Sequence, residues 1–186
     1  VSYADVRNDV TADAVKEIMD AEGLSANDVV AVTCTVPPVV TSNLTYPNPQ
    51  TATEAQFSLH FAIAAIIEYG DIKLEHLTTE MVSSAPIKRL LPKIDVKVGD
   101  IPEPYRSSRL ICPEWGYVEL TTQAGDRKCS FAGSPLGSAL RPMSDEVLKK
   151  KFNACAKYGN VKSSACAHYD KIQNVELLTN TRELFS

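Results

Sequence analysis

The stretch Thr51-Ala52-Thr53-Glu54-Ala55-Gln56-Phe57-Ser58-Leu59-His60-Phe61-Ala62-Ile63-Ala64-Ala65-Ile66-Ile67-Glu68-Tyr69-Gly70 decides the architecture. It opens with Thr-x-x-Glu, a capping box in which a hydroxyl and a carboxylate satisfy each other's exposed amides. Its second half is apolar almost all round, from Phe61 to Ile67. A helix over about 53–69 with no polar face has to sit at the centre of a core, and Gly70 stops it.

On the amino side, Ala14, Ile18 and Ala21, widened by Val15 and Met19, place an amphipathic helix over Thr11–Glu22, closed by Gly23. Asp28 to Val36 then alternates, with Val30, Val32, Cys34 and Val36 on one side and Ala31, Thr33 and Thr35 on the other. That is the pattern of a half-buried strand. Pro37-Pro38 ends it, and a polar loop runs to Gln50.

On the carboxyl side come short helices near Leu74–Ser83 and Pro86–Leu91, then a strand on Ile94, Val96 and Val98. A β reading from Arg109 to Thr122, broken at Pro113, turns through Ala124-Gly125-Asp126 into Arg127–Ala132 as a hairpin. After the loop Gly133–Pro142, Ser144 caps a helix with Val147, Leu148, Lys151, Phe152 and Cys155 as its buried stripe. Helical residues return over Val161–Ile172, with a short terminal piece near Leu177–Leu184. Strands gathered together rather than alternating with helices predict an α+β fold: a mainly antiparallel sheet with helices packed on one face.

Composition narrows the function. A chain of 186 residues is one domain's worth, and its hydrophobic share of 44% against 23% charged residues is that of a globular protein. A net charge of −4 has the wrong sign for a protein that gains affinity by neutralising phosphates, so nucleic acid is not the expected partner. The longest apolar run, Phe57 to Ile67, is interrupted by Ser58 and His60 and falls short of a bilayer span, so no membrane is expected either. Five cysteines, an odd number without a C-x-x-C pair, read as reduced thiols in a reducing compartment. The expected location is the cytoplasm, or mitochondria in a eukaryote.

Chemistry is sparse. No dinucleotide fingerprint, phosphate loop, H-E-x-x-H or nucleophile elbow is present, so no cofactor is expected. His60, His76 and His168 fall in separate helical segments without a ligand pair at metal spacing, so no metal is expected. His60 follows Gln56 by four residues, which puts both on one stripe of the predicted helix, where they meet a ligand or where His60 is simply a core histidine bonded to a carbonyl. A helix amino terminus behind a polar loop suits a carboxylate. Asn43, Tyr46 and Asn48 in that loop are either donors to it or turn formers. Trp115 packs over the sheet or faces a partner, and Lys149-Lys150-Lys151 is a solvated edge.

Several segments together resemble one family. Tyr46-Pro47-Asn48-Pro49 leading into Thr53-Glu54-Ala55-Gln56-Phe57-Ser58-Leu59 resembles the entry to the long helix of the smaller domain in the MmgE/PrpD family. That family includes 2-methylcitrate dehydratase, cis-aconitate decarboxylase and iminodisuccinate epimerase. Gly133-Ser134-Pro135 through Pro142-Met143-Ser144-Asp145-Glu146 and Lys151-Phe152-Asn153-Ala154-Cys155-Ala156 resembles its late G-x-P…N-P-L-S-x-x-E-L-x-x-K-F segment. The hairpin at Ala124-Gly125-Asp126 lies between them, in register.

The resemblance implies that residues 1–186 form a single α+β domain equivalent to the family's C-terminal domain. The helical catalytic domain would then lie on another polypeptide or another part of a longer one. It also implies a cofactor-independent lyase or isomerase acting on small di- or tricarboxylic acids, with this chain as the supporting half of the cleft. The implied partners are the helical domain or subunit, a small carboxylic acid substrate and a further copy of the enzyme in a homo-oligomer; the chain by itself would be inactive. Tyr3 matches the family's junction, whereas its lysine, cysteine and histidine have no counterpart in Val1–Val10. Arg7 there is a substitute carboxylate holder or a surface arginine. That departure leaves a second reading, a non-catalytic stand-alone binding module that keeps the fold.

Overall fold

The computed structural model describes residues 10–107, 111–159, 165–180, 182 and 184. Arg7, the predicted strand start at Arg109 and the segment 160–164 lie outside the described residues. The backbone gathers into two compact units, Val1–Arg141 and Pro142–Ser186.

The first unit runs α1 (Val10–Glu22), β1 (Val29–Val36), α2 (Pro38–Asn43), α3 (Ala52–Gln56), α4 (Leu59–Tyr69), α5 (Thr79–Val82), α6 (Ala85–Leu90), β2 (Ile94–Val98), β3 (Gly116–Thr122) and β4 (Arg127–Ala132), with 3-10 turns at Leu74–His76, Leu91–Lys93 and Tyr105–Ser107. The fold is α+β, and its four strands lie in the order β2-β1-β3-β4. The β1–β3 and β3–β4 pairs are antiparallel. The β1–β2 pair is parallel, which makes the sheet mixed. Five helical segments separate β1 from β2, and a chain that returns through so long a crossover re-enters the sheet in the same direction.

Inward rows cross the sheet in register. Ile94, Val32, Leu120 and Lys128 form one, and Val96, Cys34, Val118 and Ser130 the next. α1 covers β3 and β4, and α4 packs between α1 and β2, so the helices occupy one face. On the other face Asp95, Thr33, Glu119 and Cys129 form one row and Lys97, Thr35, Tyr117 and Phe131 the next. Thr33, Thr35, Asp95, Lys97, Tyr117 and Glu119 thus share the face opposite α1 and α4, whereas Lys128 and Ser130 of β4 fall in the inward rows.

Two local expectations are corrected. The alternation of β1 does not run to its start: Val29 is buried and Val30 is 46% exposed. Pairing jumps from Val29↔Thr122 to Ala31↔Thr121, so Val30 is the extra residue of a bulge and side-chain parity flips there. Lys93 Nζ donates to the Val29 carbonyl at 2.6 Å, satisfying an acceptor at the irregularity. Further on, among the described residues of the stretch predicted over Arg109–Thr122, only Gly116–Thr122 is strand. Pro113 lacks a ladder donor, and before β3 the chain is tied to the hairpin through Cys112 N–H to the Gly133 carbonyl.

A further correction concerns the central helix. The helix predicted over about 53–69 is two helices, α3 and α4, with a corner at Phe57 and Ser58. Ser58 is fully buried in extended conformation, and its hydroxyl accepts the Phe61 N–H at 3.0 Å as the cap of α4. A serine that competes with the helix for its own amides is suited to restart a helix in a new direction. From Leu59 to Ile67 every residue of α4 except His60 is buried. The expected all-round burial therefore holds for the second segment.

The second unit contains α7 (Asp145–Tyr158) and α8 (Ala165–Gln173). Ser144 caps α7 as expected, its hydroxyl accepting from Val147 N–H. The predicted buried stripe is not buried: α7 has no buried residue, and Val147 and Leu148 are 43% and 37% exposed. Phe152 meets the buried Tyr169 of α8 edge to face, but two helices alone cannot enclose an apolar stripe.

One glycine holds α1 against the sheet. A Cβ on Gly116 would lie 2.8 Å from Thr11 Cα and also strike its hydroxyl, so the backbones meet where only hydrogen fits. Gly116→Ala should lower stability by about 1–3 kcal/mol, the usual cost of overpacking a tight core, as a reduced midpoint in urea.

Candidate functional site

The helix amino terminus behind a polar loop, the candidate carboxylate site of the sequence, is held by three short connections. Thr51 caps α3, its hydroxyl accepting the Glu54 N–H at 3.2 Å. The Glu54 carboxylate returns to the N–H of Gln50 at 2.6 Å, one residue before the position a standard capping box would use. Tyr46 N–H donates to the Phe57 carbonyl at 3.3 Å, which ties the polar loop to the α3–α4 corner. The Tyr46 and Phe57 side chains remain exposed beside this bond.

The predicted residues fall as follows. Gln56 is the last residue of α3 and His60 lies in the first turn of α4, each half-buried. The corner at Phe57 and Ser58 separates them, so the single i, i+4 stripe expected of an unbroken helix does not form. Asn43 ends α2 and is exposed, as are Asn48 and Tyr46. Among the described residues, the side chains of Asn43, Tyr46, Gln56 and His60 make no hydrogen bond or ion pair with one another.

Electrostatically, burial lowers the pKa of His60 and the Asp95 carboxylate on β2 partly offsets it. The neutral imidazole, able to accept and donate at its two nitrogens, is thereby favoured near pH 7. His76 is lowered as well, chiefly by burial. Its Nδ1 accepts the Lys73 N–H at 3.2 Å, and its ring lies 4.5 Å from that of Tyr69, a structural role. Among the described residues no group of three or more His, Cys, Asp or Glu could hold a metal ion, and no helix is long and apolar enough to cross a membrane. Cys34, Cys112, Cys129 and Cys155 are thiols.

A second feature was not singled out in the sequence. Where the carboxyl ends of parallel β1 and β2 meet the entry to β3, a cleft of about 530 Å³ is lined by Pro37, Pro38, Gly99, Asp100, Ile101, Arg106 and Trp115. Ligands of open sheets with parallel strands gather at such strand ends. Gly99 makes the floor close: its N–H reaches the Val36 carbonyl at 3.1 Å, and a Cβ there would lie 2.7 Å from the Thr35 methyl.

The loop 99–107 is braced from both sides. Arg106 Nε donates to the Ile101 carbonyl at 2.8 Å, and Tyr105 stacks on Phe131 with centroids 4.6 Å apart. Trp115, 7% exposed, lies tilted beside the same Phe131. The expectation that it packs over the sheet therefore describes its position. A glycine directly after a strand, followed by a proline-rich turn and an arginine, was the available signal for this cleft.

A family model described as the MmgE/PrpD C-terminal domain matches residues 9–176. No curated protein matches the chain.

Both histidine shifts carry a sign for stability. A histidine whose folded pKa lies below its ordinary 6.5 takes up its proton more readily unfolded, so stability falls as pH drops below 6.5 and is regained above it. Asp13, raised from 3.8 mainly by burial, acts with the opposite slope in a more acidic window. Thermal melts should therefore show a declining midpoint below pH 6.5, with a shallower decline in His60→Gln.

Proposed function

This chain belongs to the MmgE/PrpD family, whose C-terminal domain it carries, and on that premise we propose that it forms the supporting half of the active-site cleft in a cofactor-independent lyase or isomerase. The substrate class is small di- or tricarboxylic acids, and the reaction is proton abstraction next to a carboxylate followed by elimination, decarboxylation or inversion. The observation that carries this reading is the match to the family's C-terminal domain over residues 9–176. The reacting base and acid would come from the helical domain.

Removing a proton next to a carboxylate builds negative charge on its oxygens, and hydrogen-bond donors aimed at that charge lower the barrier. Tyr46, Gln56 and the neutral His60 offer a phenol, an amide and an imidazole on the loop and corner that introduce α4. In this reading they hold the substrate's carboxylates without adding a second base. Asn43 is a further donor at the same loop's start, and Arg7 a cationic one ahead of α1.

The second unit supports the partner assignment. Val147, Leu148 and Ile172 of its two helices, with Val175 and Leu177 in the 3-10 turn that follows, are exposed, and such apolar residues suit burial against other helices. The helical domain is the proposed cover, with a homo-oligomer as the assembled form. The thiol state of Cys34, Cys112, Cys129 and Cys155 supports a reducing compartment, cytoplasmic or mitochondrial.

The decisive experiment assays the chain alone and joined to a family helical domain on 2-methylcitrate, cis-aconitate and iminodisuccinate. Turnover should require the joined form, and His60→Ala should lower its kcat/KM about 10- to 100-fold, the size of one lost hydrogen bond to a charged group. Turnover by the chain alone would contradict the division of labour. Binding without turnover in the joined form would favour the stand-alone binding module.

A further inference from the structure

The cleft at the ends of β1 and β2 combines features that the proposed function does not use. Its walls are rigid and apolar, made by Pro37, Pro38, Ile101 and the indole of Trp115. Proline rings and an indole already 93% buried have little conformational freedom left to lose when a ligand arrives. Its volume is about 530 Å³, and it is broad and open to solvent, which suits weak binding of a small ligand. Its backbone is held in place by the Gly99 amide and by the stack of Tyr105 on Phe131.

The polar groups at the cleft are few and differ in commitment. Arg106 spends its Nε on the Ile101 carbonyl, with the Glu103 carboxylate 3.6 Å from the same nitrogen. Among the described residues its terminal nitrogens make no hydrogen bond, so the edge of the guanidinium suited to a carboxylate remains available. The indole N–H of Trp115 likewise makes no hydrogen bond among the described residues. Asp100 lines the same cleft and Glu103 lies beside Arg106. A single carboxylate can still pair with the terminal nitrogens of Arg106, while the two acids beside it oppose every further negative charge a ligand carries.

We propose that this cleft is a binding site for a small monocarboxylate with an apolar body, the carboxylate on the terminal nitrogens of Arg106 and the body against Trp115, Pro37 and Pro38. The proposal rests on the cleft alone and stands or falls separately from the lyase reading. Asp100 sets the selectivity by disfavouring di- and tricarboxylates.

The test uses Trp115 itself, because it is the single tryptophan of the chain and its emission reports on this cleft without background. Titration of the full chain with phenylacetate should give a saturable change in tryptophan emission in the millimolar range, weakening as salt screens the exposed Arg106. Phenylacetamide, the neutral counterpart, and citrate should give none. Arg106→Gln should weaken phenylacetate at least about tenfold, with Arg106→Lys keeping part of the affinity and Asp100→Asn binding citrate that the parent rejects.

Equal saturation by phenylacetamide, a change that never saturates, or unaltered affinity in Arg106→Gln would overturn the proposal. Arg106 also braces the loop through Ile101, so a thermal melt accompanies each variant. Should Arg106→Gln fail to fold, the salt series on the parent decides, and affinity independent of salt rejects the site.

Discussion

The need to bury α4 on every side organises the first unit. Leu59, Phe61, Ala62, Ile63, Ala64, Ala65, Ile66 and Ile67 leave no polar stripe to face water. α1 lies against one flank, α6 against another and β2 beneath. The helix is therefore threaded between β1 and β2, and the chain that carries it makes a long crossover. That crossover is why β2 runs parallel to β1 while the other pairs in the sheet are antiparallel. Ser58 makes the arrangement possible, since its buried hydroxyl starts α4 anew after α3 has ended.

The two candidate surfaces follow from this threading. A parallel pair brings two strand ends to the same side, and the chain entering β3 arrives there too, so Pro37, Gly99 and Trp115 converge from three distant parts of the sequence. The restart at Ser58 presents the corner of α3 and α4 to the polar loop, where the Tyr46–Phe57 backbone bond fixes it. Elsewhere the unit is secured by polar contacts to α1. Arg141 donates to Asp13 at 3.1 Å and pairs with Glu17, fastening the loop that follows β4. Leu136 N–H adds a bond to the same Asp13 carboxylate.

The second unit obeys a different constraint. A 14-residue helix without a buried residue has its capping chemistry in order, with Ser144 at the cap and Asp145 and Glu146 in the first turn, yet lacks a core of its own. Its apolar residues Val147 and Leu148 stay exposed. The family match, over residues 9–176, runs through both units.

Local pattern alone determined a good deal. The alternation of Val32, Cys34 and Val36, the hairpin at Ala124-Gly125-Asp126, the caps at Thr51 and Ser144 and the greasy run after Ser58 all follow from short-range chemistry, and the structure repeats them. The family was legible for the same reason, because its motifs are contiguous. Other features depend on partners distant in the chain. The bulge at Val30 exists only against β3, and α7 reads as buried by periodicity because periodicity reports an apolar face without reporting what covers it. The break at Phe57 and Ser58 was hidden because serine is tolerated within a helix as well as at its cap. Arg106 and Trp115 sit nine residues apart beside unremarkable prolines, and only the crossover that buries α4 brings them into one cleft with Pro37 and Pro38. Local residues choose the elements; the elimination of water from α4 chooses which of their ends meet.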